Sequence, residues 1–204
     1  MVLPSTRERI LDAAAHVMST RGLAATTTKE IARAAGFSEA ALYKHFRDKE
    51  ELFLCVLSTR LPPLIVLLEE LPQRAGRGSV TANLEEVARA AVAFYDRSVP
   101  MAASLFADPE LLARHRERLV ESGAGPQRPF EVLTAYLRAE QRLGRLSRTA
   151  KPAAAAALLL GSCFQRAFFR SFLGEPAAGA ADAAFARETV RTLLRSLSPE
   201  HPPA

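Results

Sequence analysis

A chain of 204 residues has room for one large domain, or for a small module joined to a larger one, and it can bury a core without disulfide staples. Apolar residues make up 49% and charged residues 24%, which excludes a disordered, collagen-like or fibrous chain. The net charge is +5, and all of the 27 cations except Lys29, Lys44, Lys49 and Lys151 are Arg. This excess favours a polyanionic partner, but it is spread over the first 50 residues and the remainder alike, so it locates no site.

Cys55 and Cys163 lie far apart and have no disulfide or redox spacing, so both are read as packing residues. His16, His45, His115 and His201 form no metal-ligand pattern. No metal and no cofactor are expected. The N-terminus turns charged within nine residues, and the longest apolar run, from Pro152 to Phe164, is interrupted by Gln165 and Arg166 short of the roughly 20 residues that span a bilayer. A cytoplasmic protein with no membrane partner is expected.

In chain order, Ile10, Ala13, Ala14, Val17 and Met18 recur at helical steps through Thr6 to Arg21, with Gly22 as the stop. Thr27-Thr28-Lys29-Glu30 is a Thr-x-x-Glu capping box, which opens a short helix carrying Ile31, Ala32 and Ala35. Gly36 ends that helix, and Ser38 caps a second one running through Leu42 to about Phe46. Asp48-Lys49-Glu50-Glu51 starts a third, and Pro62-Pro63 must kink or divide the segment from Lys49 to Leu71. Further helices are expected near 81–98, 101–107, 109–121, 127–144, 152–173 and 181–196, with breaks that include Pro100, Asp108-Pro109 and Gly174 to Gly179. No segment patterns as a strand, so the fold class is all-α.

Two short helices joined by a tight turn at Gly36 suit a helix-turn-helix, in which the second helix enters the major groove. Ile31, Ala32, Ala35, Leu42 and Phe46 can pack inward. Glu39, Ala40, Tyr43 and Lys44 are left to other faces, and Ala40 and Ala41 permit close approach to base edges.

The chain resembles the TetR family of bacterial transcriptional regulators. The resemblance rests on Arg9-Ile10-Leu11-Asp12-Ala13-Ala14, Arg21-Gly22, Ala25-Thr26-Thr27, Glu30-Ile31-Ala32, Ala35-Gly36-Phe37-Ser38, Leu42-Tyr43-Lys44-His45-Phe46 and Asp48-Lys49-Glu50, in order and spacing over about the first 55 residues. It implies an N-terminal three-helix DNA-binding domain (1–50) and a larger helical domain (51–198) that binds a small-molecule effector and dimerises, followed by a frayed tail (199–204). It further implies that Thr27, Thr28 and Lys29 lie at phosphates or a groove edge. Ser38, Glu39, Ala40, Ala41, Tyr43, Lys44 and His45 would form the recognition surface, and Lys49 would anchor a phosphate. Ala40 and Ala41 stand where the family can carry polar residues, and Glu39 is an anion near the groove. Base reading is therefore expected to be sparse, through Ala methyls on thymine and Glu39 on cytosine N4.

In the larger part, the helix from Pro152 to Leu173 is apolar nearly all round and must be covered on more than one side. With the final helix it offers Leu158, Gly161, Ser162, Val190, Leu193, Leu194 and Leu197 to a twofold mate, the use the family makes of its last two helices. Phe94, Tyr95, Met101, Phe106, Phe130, Tyr136, Gln165 and Phe168 are the candidate effector pocket, and Arg138, Arg142, Arg145 and Arg148 a solvated face. No catalytic constellation is present, so no enzyme is expected. The expectation is a dimeric repressor on a palindromic operator of double-stranded DNA, released by a small molecule. The alternatives are a helical small-molecule-binding dimer without DNA binding, and an activator.

Overall fold

The computed structural model describes residues 4–61, 64–123, 125–177 and 179–197. The proposed break at Pro62-Pro63 and the tail 199–204 lie outside them. Among the described residues every regular element is helical: α1 (Thr6–Arg21), α2 (Thr28–Ala35), α3 (Glu39–Tyr43), α4 (Lys49–Thr59), α5 (Leu64–Glu70), α6 (Val80–Ala103), α7 (Pro109–Ser122), α8 (Arg128–Arg142), α9 (Pro152–Leu173) and α10 (Gly179–Arg195). Single 3-10 turns occupy Leu71–Arg74 and Ser104–Ala107.

The cap residues set most of the starts. Ser5 and Thr27 form full capping boxes with Glu8 and Glu30, while Asp48 and Asp108 accept from the backbone N–H of Glu51 and Leu111. The helix through the 80s and 90s does not break at Pro100 as the sequence suggested. It runs on to Ala103 with the proline inside it, leaving the Asp96 carbonyl without its helical donor.

The chain forms two compact units. One comprises residues 1–61 and 97–125, and is wider than the motif-based division at residue 50. Its core takes Ile10, Leu11, Ala14 and Met18 from α1, Ile31 and Ala32 from α2, Leu42 of α3, Leu52, Phe53 and Val56 from α4, and Leu111 of α7. The second comprises residues 62–96 and 126–204, with Leu84, Val87, Leu133, Tyr136, Leu159, Leu160 and Val190 buried in it. Helix α6 therefore contributes to both.

Within the first unit, α7 clamps the start of α4. Arg114 Nε lies 3.1 Å from Oε1 of the buried Glu50, and Arg118 pairs with the cap residue Asp48 and, at 2.5 Å, with Glu121. Between these pairs sits His115, 8% exposed, its ring 5.5 Å from that of Phe53 and its Nδ1 without a hydrogen-bond partner. Burial lowers the His115 pKa against the opposing pull of Glu50. The unfolded chain takes up a proton near pH 6.5, whereas the folded chain resists it until lower pH. The stabilisation from neutral His115 is present above the unfolded pKa and is lost as pH falls. The urea midpoint is expected to drop between pH 7 and pH 5, and to drop less in His115→Leu; equal drops would remove His115 as the cause.

In the second unit the carboxylate of Glu140 is fully buried. It accepts from Gly76 N at 3.3 Å and pairs with Arg145 at 3.2 Å. Arg145 is thus tied to the interior while Arg138, Arg142 and Arg148 stay exposed. Helix α9 as a whole, unlike its apolar run to Phe164, has the length and composition of a bilayer span. One side of it, including Ala156, Leu159, Leu160, Cys163 and Ala167, is nonetheless buried in this unit, where α9 packs against α8 and α10. Burial pushes the Cys163 thiol up to about 12 and its Sγ lies 3.6 Å from Ala88 O, as suits an inert packing residue.

Candidate nucleic-acid interface

The interface is built by α2, the turn at Gly36 and α3. Gly36 adopts φ +78°, a left-handed conformation that L side chains rarely take. A Cβ there would also stand 3.2 Å from Arg9 Nη2, which donates to Ala35 O at 3.0 Å while its guanidinium covers the Phe37 ring at 4.6 Å. The turn is thus locked from α1, and Ser38 then caps α3 by accepting from Ala41 N at 3.2 Å. Helix α3 is five residues long and ends at Tyr43, shorter than the helix to Phe46 expected from the sequence. Lys44 and His45 follow it as exposed turn residues, and Phe46 is buried.

Leu42, fully buried, fixes which side of α3 faces solvent. Ser38, Ala40, Tyr43, Lys44 and His45 are exposed and Glu39 and Ala41 half-buried, so the candidate recognition residues share the outward side of one short segment. Thr27 is occupied as the α2 cap. Thr28, the first residue of α2, reaches across to α3: its Oγ1 lies 2.5 Å from Glu39 Oε1 and 3.2 Å from the Tyr43 hydroxyl. Lys29 is exposed, and with Glu30, Arg33, Phe37, Ser38 and Glu39 it lines an open cleft of about 440 Å³ beside the start of α3. Sequence reading missed Arg33. Its signal was its position four residues after Lys29, which puts the two cations on one helix face.

Lys49 differs from expectation. Its Nζ donates to Thr26 O at 3.0 Å and to Ala24 O at 3.4 Å, and burial lowers its pKa. Two of its three protons therefore hold the α1–α2 turn against the start of α4, and an outward, phosphate-anchoring lysine is not what the geometry presents. Lys49→Met is expected to lower stability by about 1.5–3 kcal/mol, the range for a hydrogen bond involving a charged group. DNA binding should weaken without the loss of about one unit of salt-dependence slope that removal of a phosphate contact produces. A full unit lost from the slope would restore the phosphate role.

Residues 10–56 match the family model for "Bacterial regulatory proteins, tetR family". Residues 82–196, more than half of the chain, match that for the "AefR-like transcriptional repressor, C-terminal domain". The chain belongs to the TetR family of transcriptional regulators. It is 48% identical over 48 residues to the HTH-type transcriptional regulator AcrR of Shigella flexneri, a match covering 24% of this chain and 22% of that protein. It is also 44% identical over 59 residues to SrpR of Pseudomonas putida, covering 29% and 28%. The chain thus matches less than a third of the length of these relatives. A TetR-family regulator from Mesorhizobium loti superimposes with TM-score 0.72 at 21% identity over 95% of this chain and 96% of that one. FadR from Bacillus subtilis, in complex with stearoyl-CoA, gives 0.68 at 15% over 92% and 97%. At these identities the likeness shows the shared fold.

As a TetR-family member the chain is a transcriptional regulator, and residues 82–196 carry its match to the C-terminal-domain model. The residues proposed as an effector pocket are divided between the two units. Met101 is buried in the core of the first unit and Phe106, 80% exposed, follows it, whereas Phe94, Tyr95, Phe130, Tyr136, Gln165 and Phe168 belong to the other unit. Among those six, Tyr136 is fully buried with its hydroxyl accepting from Asn83 Nδ2 at 2.9 Å. Tyr95 packs edge-on against Phe94 and Phe164. Gln165 and Phe168 face outward on α9, where Gln165 lines an open cleft of about 470 Å³ with Ser162, Arg166, Phe169, Arg170 and Phe185.

The proposed dimer residues also divide. Val190, Leu193 and Leu197 are 0%, 7% and 4% exposed and buried by their own protomer, so they have no surface to offer a mate; Leu194 is half-buried. Leu158 is 63% exposed, Gly161 is exposed, and Ser162 is half-buried with its hydroxyl donating to Leu158 O at 2.7 Å. The same face of α9 continues into Phe164, Phe168 and Phe172, stacked in succession at 6.3 and 5.9 Å. Sequence reading missed Phe164 and Phe172 as surface residues. Their signal was the three-residue step from Gly161 to Phe164 and the four-residue steps on to Phe168 and Phe172, which keep one helix face.

Proposed function

We propose that the protein is a transcriptional repressor that binds a palindromic operator as a homodimer and is released by a small molecule. The observation that carries this reading is the match of residues 82–196 to a repressor's C-terminal domain behind a solvent-facing helix-turn-helix. A single five-residue α3 reads only a few base pairs, so useful affinity requires two of them roughly 34 Å apart on a twofold site. The outer face of α9, from Leu158 through Phe172, is the surface that supports dimerisation, because so continuous an exposed apolar stripe on a protomer favours burial.

Two fold neighbours are described in complex with stearoyl-CoA and with triclosan, which supports an apolar or amphipathic effector for the second unit. Such an effector would favour a conformation whose recognition helices no longer match the operator, shifting the population off DNA. Helix α6, whose residues belong to both units, is the covalent route between effector and reader. The test is a gel shift on fragments from the chain's own genomic neighbourhood, followed by transcription in vitro with and without protein. Repression requires specific retardation and fewer transcripts; more transcripts would make it an activator, and no specific retardation would favour a small-molecule-binding dimer without DNA binding.

A further inference from the structure

The three side chains that join α2 to α3 allow one assignment of their protons. Glu39, as a carboxylate, can only accept, so the single Thr28 hydroxyl proton is donated to Glu39 Oε1 across 2.5 Å. Thr28 then has only lone pairs left for Tyr43, and the Tyr43 hydroxyl must be the donor across the 3.2 Å contact. The chain of bonds therefore runs in one direction, from Tyr43 through Thr28 to Glu39. Glu39 and Tyr43 stand four apart on α3 and so share the side that faces the first residue of α2.

Two consequences follow for a bound duplex. The Tyr43 proton is committed inward, so the phenol oxygen turns its lone pair outward and is a poor donor to phosphate. Glu39 Oε1 is engaged and its carboxylate held in one orientation, which leaves Oε2 as an acceptor beside the exposed Ala40. A fixed carboxylate is repelled by phosphates, by guanine O6 and N7 and by thymine O4; adenine sets its N6 amino group beside the N7 acceptor, whereas cytosine N4 stands with no acceptor beside it and satisfies the carboxylate best.

We propose that Glu39 is a specificity-determining residue that reads a cytosine N4 amino group in each half-site, and that Thr28, bridging it to Tyr43, is the positioning residue that fixes its carboxylate for this. The inference rests on the assignment of α3 as the recognition helix. Rejection of the wrong base falls to Glu39, while Lys29 and Arg33 supply attraction that is indifferent to sequence.

The test is selection of bound duplexes from a randomised pool by the full-length wild type and by Glu39→Gln, Thr28→Val, Thr28→Ser and Tyr43→Phe, each first checked for an unshifted melting transition. Wild type is expected to enrich C at one position of each half-site. Glu39→Gln should lose roughly tenfold or more of the discrimination at that position alone, within the range of one specific base contact. Thr28→Val should lose part of it at the same position, Thr28→Ser should restore it, and Tyr43→Phe should change it least, because the Thr28–Glu39 bond survives. Wild-type enrichment of a motif that Glu39→Gln and Thr28→Val reproduce unchanged overturns the assignment while leaving the DNA-reading function intact. Uniform weakening on all sequences by Thr28→Val also overturns it, and a wild type that enriches no motif overturns both.

Discussion

Leu158→Asp is expected to leave each protomer folded, to convert the protein to a monomer, and to lower operator affinity by about 10²- to 10⁴-fold, the advantage of linking two binding events. Leu158 is 63% exposed in the protomer, so its replacement removes little of the protomer's own core. In a dimer closed through α9 it would lie on or near a twofold-related copy of the same face. Two carboxylates would then be desolvated close together without partners, at a cost exceeding that of losing the leucine contact alone. Phe172→Asp, at a position 77% exposed, tests the other end of the stripe. Sedimentation at micromolar concentration reads the oligomeric state, and a gel shift with one and with two half-sites reads the affinity. If both variants sediment as dimers, the α9 face is not where the protomers meet. If they are monomers that bind the full operator as tightly as wild type, the requirement for twofold reading is removed.

The legible parts of this fold are those decided within a few residues of sequence. Thr27, Ser38 and Asp48 each cap a helix as their identities and spacing indicated, because a cap is a bond between a side chain and a backbone N–H two or three residues on. The inward set of α2 and α3 was legible for the same reason: Ile31, Ala32, Ala35 and Leu42 recur at helical steps and include the only large aliphatic residues of the two short helices. What failed was the choice between equivalent coverings. The stripe Ala186, Val190 and Leu193 on α10, with Leu197 just beyond it, can face its own protomer or a mate with identical periodicity, and packing on α9 decides for the former. Lys49 gave the same difficulty, since a flexible four-carbon stem next to a helix start reaches a phosphate or an inward carbonyl equally well. Pro100 stays inside a helix whose next residue, Met101, is buried in the core of the first unit, so the cost of continuing the helix past the proline is offset by that burial. The candidate pocket residues fall in both units, because large apolar residues mark interiors in general and carry no information about which of two interiors they enter.

Arg170→Met is expected to be the most destabilising change available in the second unit, by about 3–5 kcal/mol at neutral pH, as for removal of one partner from a buried ion pair. Arg170 on α9 is 8% exposed and bridges Asp96 of α6 and Asp182 of α10, while Arg166 Nε reaches Asp182 at 2.7 Å. The two aspartates are not equivalent. Burial pushes Asp182 up, but the Arg170 and Arg166 guanidiniums together hold its carboxyl below the usual range. At Asp96 burial, aided by the Asp182 charge, outweighs the pull of Arg170 and the weaker one of Arg166, so its pKa is raised, and its Oδ1 is buried without a partner. Loss of Arg170 leaves Asp182 with Arg166 but strips Asp96 of its counter-ion. The folded-state pKa of Asp96 then rises further above its unfolded value, so the folded state takes up the proton first as pH falls, and the deficit shrinks on going from pH 7 towards pH 5. The same reasoning makes Asp96→Asn a partial rescue in the Arg170→Met background, although it is harmful alone because it leaves Arg170 underpaired. Urea midpoints of the four proteins at the two pH values decide the matter. A deficit independent of pH, with no rescue by Asp96→Asn, would mean that Arg170 stabilises through its apolar stem; a deficit that shrinks and is rescued locates the stabilisation in the charge pairing that ties α6, α9 and α10 together.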